Sequence, residues 1–190
     1  VTPRATYYIY DNEDIIMEYN HKGKVTERYV YGLGIDEPLA VEKRIHTHSY
    51  HHSHIYYYHF DGLGSVTSLT DSKGKVAQRY EYDSFGKLKR HGQKVKQPYT
   101  YTAREWDRET KLYYYRARYY DPQIGRFISF DPILHPTMGP PKNKVCSQTI
   151  SYPTLELSKE TPQKLNPYSY TINNPIIYTD PYGEGVLDCV

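Results

Sequence analysis

Alternation of apolar and polar positions is the clearest local pattern in this chain. Residues 76–83, VAQRYEYD, place four side chains on one face with a period of two: Val76, Gln78, Tyr80 and Tyr82. That period is typical of a half-buried β-strand. The preceding run 65–71, SVTSLTD, is rich in β-branched residues, which favour strands. Between the two runs, Gly74 in the polar sequence DSKG can adopt the positive φ of a tight turn, so the pattern predicts a β-hairpin.

This hairpin is one copy of a repeat of roughly fifty residues, a period that indicates stacked structural units. Residues 21–34, HKGKVTERYVYGLG, correspond to residues 72–86, SKGKVAQRYEYDSFG, so that Lys22 recurs as Lys73. The sequence NHKG at 20–23 is then the turn of the first copy. Because a single hairpin cannot bury a face, the copies are expected to stack into one sheet.

Three later regions complete the prediction of an all-β fold of stacked antiparallel hairpins. A third pair of strands is expected at 99–107 and 111–121, in the zone with the densest aromatic residues. Residues 134–165 are rich in Pro, Ser, Thr and Lys, which predicts an irregular insertion. Two short strands are expected after it, at 168–172 and 176–179.

Composition adds one unusual feature, because 24 of the 190 residues are tyrosine. A buried tyrosine needs a partner for its hydroxyl group, which suits a wide sheet better than a dry helical core. The net charge of +2 gives no basis for binding nucleic acid, and no apolar run is long enough to span a membrane. Cys146 and Cys189 define no disulfide framework, and neither a cofactor nor a metal ion is expected. The start at Val1 predicts a fragment or a processed product.

Two segments of the sequence resemble a known family. Residues 60–86, FDGLGSVTSLTDSKGKVAQRYEYDSFG, are similar to the tyrosine-aspartate (YD) repeats of Rhs proteins. Residues 112–133, LYYYRARYYDPQIGRFISFDPI, followed by 166–183, NPYSYTINNPIIYTDPYG, resemble the Rhs repeat-associated core that ends the repeat array. Only residues 44–55 and about 134–163 fall outside the resemblance. The family includes bacterial polymorphic toxins, components of insecticidal toxin complexes and, more distantly, the animal teneurins.

The resemblance implies a β-spiral that closes into a shell around a toxic C-terminal polypeptide, with the core as a plug. On this basis we expect YD repeats at 1–98, the core at 99–183 and a short tail at 184–190. The expected partners are the rest of the shell and a C-terminal toxin, and the expected location is secreted or at the cell surface. The seven residues of the tail are too few for a toxin domain, which predicts the residual end of a shell or a truncated gene.

In many members of the family the core also cuts the chain after an Asp-Pro-x-Gly motif, through an aspartyl-protease-like site. The resemblance places the first catalytic aspartate at Asp131. Two departures weaken this alternative: Phe130 stands where many members have arginine, and Glu160 is the nearest acid at the second position. We therefore predict a plug that holds the chain without cutting it, with Asp131 as a turn residue. If cutting survives, the cut is expected within 184–190, most favourably at Leu187.

Other polar clusters leave a third function open. In HTHSYHHSHIYYYH, residues 46–59, histidines alternate at His46, His48, His52 and His54. That spacing could ligate zinc or copper, but an exposed polar hairpin is the favoured interpretation. The basic loop at 86–96, GKLKRHGQKVK, is predicted to be a solvated loop. Together with exposed tyrosines it makes a carbohydrate-binding surface module the third alternative.

Overall fold

The structure is a computed structural model, and it describes residues 5–46, 51–91, 95–132 and 166–185. The chain divides into two compact units: Val1–Asp83 with Leu88–Arg104, and Ser84–Lys87 with Glu105–Val190. Both units consist of antiparallel strands, and within the described residues the only helical segments are short 3-10 turns. The prediction of an all-β fold with antiparallel hairpins is therefore confirmed.

The first unit is an eight-stranded antiparallel sheet whose strands follow chain order. Its strands are β1 (Thr6–Asp11), β2 (Asp14–Asn20), β3 (Val25–Tyr31), β4 (Pro38–His46), β5 (His51–Phe60), β6 (Val66–Asp71), β7 (Val76–Tyr82) and β8 (Leu88–His91). The two predicted repeat turns have the same construction. Gly23 and Gly74 have φ angles of +70° and +76°, and the side chains of Asn20 and Asp71 each accept a backbone N–H two residues on, at 2.9 Å.

The core of this unit lies on one face of the sheet, against residues 95–104. Its buried members are Ile15, Tyr29, Val41, Tyr58, Val66, Leu69, Tyr80, Val95 and Tyr99. Tyrosine hydroxyls find partners inside this layer. Tyr58 donates to the side-chain oxygen of Gln97 at 3.2 Å, and the Gln97 amide donates to the hydroxyl of Tyr80 at 2.7 Å. The sheet therefore buries its rings without leaving the hydroxyl groups unsatisfied.

The second unit contains a four-stranded sheet in the order β12-β11-β10-β9. Its strands are β9 (Glu105–Asp107), β10 (Leu112–Tyr115), β11 (Arg118–Asp121) and β12 (Arg126–Phe127). Tyr170, from the segment 166–185, packs its ring 4.4 Å from that of Tyr120 and places its hydroxyl 3.0 Å from that of Tyr115. All three rings are fully buried, so the C-terminal segment completes the core of this unit.

One local turn occurs in both units. The sequences YTYTA at 99–103 and YSYTI at 168–172 each end in left-handed backbone. The φ angles are +45° and +50° at Thr102 and Ala103, and +47° and +54° at Thr171 and Ile172. The same hydrogen bond closes each turn, from Arg104 N–H to the Tyr101 carbonyl and from Asn173 N–H to the Tyr170 carbonyl, at 2.9 and 2.8 Å. Each turn follows a tyrosine that is buried in the core of its own unit.

Four predicted strands are wrong in detail. Within 99–107 only β9 is a strand, and it follows a 3-10 turn at Tyr101–Ala103. Residues 111–121 form two strands, because left-handed backbone at Arg116 (φ +57°) reverses the chain between β10 and β11. Residues 168–172 contain a 3-10 turn and only an isolated bridge at Ser169, since the burial of Tyr170 fixes the turn. Residues 176–179 form a turn and irregular backbone. The predicted insertion at 134–165 lies outside the described residues.

Candidate functional site: a buried ion cluster

Arg118 is the central residue of a buried ion cluster in the second unit. It is the first residue of β11, and its side chain is only 1% exposed. The guanidinium carbon lies 3.6 Å from the ring centroid of Phe127, a cation–π contact on one side of the group. An unpaired guanidinium at this depth would be strongly destabilising, so its polar neighbours determine whether the unit folds.

Two carboxylates supply the negative charge. Nη2 of Arg118 lies 3.1 Å from Oδ2 of Asp131 and 3.2 Å from Oδ2 of Asp180. Nε donates to the carbonyl of Gly183, and Nη1 donates to the carbonyl of Pro167 at 3.0 Å. Asp131 and Asp180 are both buried, Asp180 completely. Two carboxyl groups thus meet one guanidinium nitrogen at this site.

The cluster fixes a turn at residues 180–185. The carboxylate of Asp180 accepts the backbone N–H groups of Glu184 and Gly185, at 3.1 and 3.0 Å. Gly183 has a φ of +65°, and a Cβ at this position would collide with the carbonyl oxygen of Tyr115. The Asp-Pro-Tyr-Gly sequence therefore needs glycine at its fourth position.

The loop between β10 and β11 binds the same turn. Arg116 donates from Nη1 to the carbonyl of Pro181, and its guanidinium lies 5.4 Å from the ring centroid of Tyr182. The N–H of Ala117 donates to the carbonyl of Tyr182 at 3.2 Å. Burial lowers the pKa of Arg116 to about 10, so this side chain still carries its charge at neutral pH. The turn is therefore tied to three successive residues of one hairpin.

Burial is the main influence on proton affinity within the cluster. It raises the pKa of Asp180 to about 6, although Arg118 and the two backbone N–H groups oppose the rise, and the charge of Asp131 adds to it. Burial also lowers the pKa of Arg118, which the two aspartates counteract. Asp180 is accordingly the carboxyl group that keeps a proton in mildly acid solution.

The structure brings together one residue that the sequence predicts and two that it does not. Asp131, the predicted acid, lies in the cluster. Phe130, at the position where many family members have arginine, is 40% exposed and packs edge-on against Tyr168. The cation beside Asp131 is instead Arg118. Asp180, the first residue of the Asp-Pro-Tyr-Gly sequence, is not among the predicted acids, yet its carboxylate pairs with Arg118. These two residues are 62 positions apart, so no local pattern connects them.

A second cluster with the same charge ratio lies in the first unit, across β2, β3 and β4. The hydroxyl of Tyr29 lies 2.6 Å from Oε1 of Glu18 and 2.8 Å from Oε2 of Glu27, and Lys43 pairs with Glu27. One hydroxyl hydrogen cannot serve two carboxylates, so a proton on a carboxyl group completes the arrangement. Burial, and then the charge of Glu27, raise the pKa of Glu18 to about 7.

The predicted histidine and lysine clusters show no comparable arrangement. His52 and His54 lie on β5 with ring centroids 6.5 Å apart, and no three His, Cys, Asp or Glu side chains of the described residues gather as a metal site. Lys87 and Lys89 are exposed. Several predicted positions lie outside the described residues: His48, Lys94, Cys146, Glu160, Leu187 and Cys189. Within the described part of the chain, no helix is long and apolar enough to cross a membrane.

Comparison with known proteins identifies relatives among toxins. No protein-family model matches the chain. It is 30% identical over 191 residues to the tRNA3(Ser)-specific nuclease WapA of Bacillus spizizenii, a match that covers 98% of this chain and 7% of that protein. It is also 30% identical over 129 residues to the toxin protein Tse5 of Pseudomonas aeruginosa, covering 68% of this chain and 8% of Tse5. The chain thus spans less than a tenth of these relatives.

Solved structures agree with the fold. The crystal structure of TcdB2-TccC3-Cdc42 matches 88% of this chain and 7% of that chain, with a TM-score of 0.60 and 22% sequence identity. The curated relatives are Rhs-type polymorphic toxins, which confirms the resemblance at that level, and the solved structure has the same fold.

Proposed function

We propose that this chain is a structural segment of an Rhs-type toxin, in which repeats at 1–98 contribute to a shell and a repeat-associated core at 99–183 acts as a plug. The plug holds the polypeptide that follows it. Its partners are then the rest of the shell and a C-terminal toxin, and its location is secreted or at the cell surface. The observation that carries this proposal is the Arg118 cluster, which ties the turn 180–185 to β11.

The energetics of the cluster suit a holding role. Removing one partner from a buried ion pair typically costs about 3–5 kcal/mol, because the remaining charge is left uncompensated. Here Arg118 binds the carbonyl of Gly183 and the carboxylate of Asp180 within the same turn. Pulling the turn away would therefore expose a buried cation and two buried carboxyl groups together.

The free edge of the first unit supports the shell part of the proposal. All six residues of β1 are exposed, and among the described strands β1 is an edge strand that pairs with β2. Its side chains include Tyr7 and Ile9, which are 48% and 40% exposed. Uncovered edge strands invite pairing with another strand, and a continuing sheet would provide one.

Limited proteolysis tests the holding role. A reporter domain is fused after Val190, and cleavage of the junction is followed in the parent chain and in Arg118→Met. We expect the substitution to speed junction cleavage at least about tenfold, since a shift of about 1.4 kcal/mol in local opening suffices. Arg79→Lys, at an exposed position of β7, is the matched control. Unchanged cleavage in a folded Arg118→Met protein would refute the holding role.

A second candidate function is autoproteolysis by Asp131. The observation in its favour is that Asp131 and Asp180 lie at one guanidinium nitrogen, beside the backbone N–H groups of Glu184 and Gly185. A carboxylate could take a proton from water as the oxygen attacks the peptide carbonyl, while the protonated partner gives its proton to the leaving nitrogen. Asp180 would then be the second acid in place of Glu160.

Mass spectrometry of the same reporter fusion tests this candidate. We expect no self-release, because Arg118 binds Oδ2 of both aspartates and backbone N–H groups occupy both oxygens of Asp180. A new C-terminus within 184–190 that disappears in Asp131→Asn would establish the enzyme instead. Asp121→Asn, at the other Asp-Pro step of the core motif, is the control.

A further inference from the structure

We propose that the second unit contains a binding site for one particular loop, residues 84–87 between β7 and β8, and that this site selects an aromatic residue followed by glycine. The recognised groups are the ring of Phe85 and the backbone carbonyls of Phe85 and Gly86. The site itself depends only on these contacts. Its consequence for how the core is joined to the repeats rests on the proposed function.

The two repeats have the same construction up to the loop. The hydroxyl of Tyr31 donates to the carbonyl of Ile15 at 2.8 Å. The hydroxyl of Tyr82, 51 positions after Tyr31, donates at 2.7 Å to the carbonyl of Val66, which is 51 positions after Ile15. The loops that directly follow these two tyrosines are therefore equivalent parts of the repeat.

The two equivalent loops nevertheless have different surroundings. Residues 84–87 belong to the second unit, where the side chain of Phe85 is half-buried. In the first repeat, Leu33 stands at the equivalent position and its side chain is fully exposed. That loop is closed by its own residue Glu37, whose carboxylate accepts the N–H of Gly34 at 2.9 Å. The loop with leucine stays at the surface, whereas the loop with phenylalanine packs in the second unit.

Two buried tyrosines hold the loop 84–87 by its backbone. Tyr120, in β11, donates its hydroxyl to the carbonyl of Phe85 at 2.8 Å. Tyr113, in β10, donates its hydroxyl to the carbonyl of Gly86, also at 2.8 Å. Both tyrosines are fully buried, so their hydroxyl groups need acceptors inside the protein. Gly86 has a φ of +82°, which glycine adopts without strain, so the site fits a turn with glycine at this position.

A glycine on the other side of the site makes room for the ring. Gly125 lies in the turn between β11 and β12 and has a φ of +67°. A Cβ at this position would be 2.9 Å from Cδ1 of Phe85, closer than real Cβ atoms approach a neighbour. The ring therefore lies directly against the backbone of the turn. A leucine side chain is smaller and branched, so it would leave part of this space unfilled.

Hydrogen exchange of the β10 and β11 amides, measured by NMR on the 190-residue chain, tests the selection of the ring. Phe85→Leu introduces the residue of the first repeat and should lower protection of these amides at least about tenfold, because packing around the ring is lost. The mirror substitution Leu33→Phe is the control and should leave protection unchanged. Unchanged protection in Phe85→Leu overturns the site.

A pair of glycine substitutions tests the contact with the ring. Gly125→Ala and Gly74→Ala both place a methyl group on left-handed backbone, but the methyl at position 74 has no described atom within 4 Å. Each variant is measured on the amides of its own sheet, and Gly125→Ala should lose at least about tenfold more protection. In the Phe85→Ala chain the extra loss should vanish, because alanine is too short to reach Gly125.

Equal losses in Gly125→Ala and Gly74→Ala, or an extra loss that persists in the Phe85→Ala chain, overturn the site. If Phe85→Leu and Phe85→Ala do not fold, the comparison of the two glycine variants in the parent chain decides.

Removal of one hydroxyl group tests recognition of the backbone. Tyr120→Phe should lower protection of the β10 and β11 amides about threefold to tenfold, because the carbonyl of Phe85 loses its donor. Tyr119→Phe is the matched control, since Tyr119 is the neighbouring residue of β11 and is 44% exposed. Equal protection in the two variants would overturn recognition through the carbonyl.

Junction cleavage of the reporter fusion in Phe85→Leu separates the site from the proposed function. Lowered amide protection together with faster cleavage supports both the site and its contribution to the plug. Lowered amide protection with unchanged cleavage supports the site and refutes that contribution.

Discussion

Individual residues in left-handed backbone show where tertiary structure overrides local preference. Lys111, Arg116 and Ile172 have φ angles of +61°, +57° and +54°. This conformation costs an L-residue roughly 1–2 kcal/mol compared with right-handed backbone. Each position lies in a turn that neighbouring contacts fix. The N–H of Lys111, for instance, donates to the carbonyl of Asp107 at 2.9 Å, which closes the turn between β9 and β10.

The exposed side chain of Lys111 offers a direct measurement of that cost. Lys111→Gly should raise the free energy of unfolding by about 0.5–1 kcal/mol, because the relief of left-handed strain exceeds the added chain entropy of glycine. Lys75→Gly is the matched control at an exposed lysine outside the positive-φ region, and it should destabilise the protein by about 0.5–1 kcal/mol. Urea unfolding measures the free energy of unfolding of both variants. Equal changes of the same sign in the two variants would contradict the prediction.

At the scale of elements, prediction from the sequence succeeds where local signals agree. Alternation, β-branched residues and a turn glycine together predict the hairpin of β6 and β7. The structure has these two strands paired, with Gly74 at a positive φ in the turn between them. It fails where no glycine marks the reversal. The tyrosine-rich run 111–121 keeps an unbroken strand pattern although Arg116 turns the chain. In 168–172, the burial of Tyr170 replaces a predicted strand with a turn.

The candidate site is harder to predict because its elements meet only in the folded unit. Asp131 is predictable from motif resemblance, whereas its cation comes from β11 and its second carboxylate from the turn at 180–185. Each of these two residues fits a local role by itself, Arg118 in a strand and Asp180 before a proline. The cluster of Glu18 and Glu27 depends in the same way on cross-strand register, which the repeat pattern predicts only in outline.

At the scale of the whole molecule, each unit contains a cluster in which carboxyl groups pair with a cation, part-buried in the first unit and buried in the second. Burial raises the pKa of Glu18 to about 7 in one unit and that of Asp180 to about 6 in the other. A raised acid pKa means that the folded state binds a proton which the unfolded chain has already released. The two shifts have the same sign, so their effects on stability add.

Stability should therefore decline from mildly acid to mildly alkaline solution. The stabilisation is complete below the ordinary pKa values of 4.5 and 3.8, and it is lost as pH rises through about 7 for Glu18 and about 6 for Asp180. Between pH 5 and pH 8 we expect a loss on the order of 4 kcal/mol. Glu18→Gln should remove the part of the decline nearest neutral pH, because a neutral amide keeps an acceptor for Tyr29 without titrating. Glu109→Gln, on an exposed turn, should leave the decline unchanged. Thermal unfolding followed by circular dichroism at several pH values measures the slope, and a slope that Glu18→Gln does not reduce would show that the Tyr29 cluster does not set it.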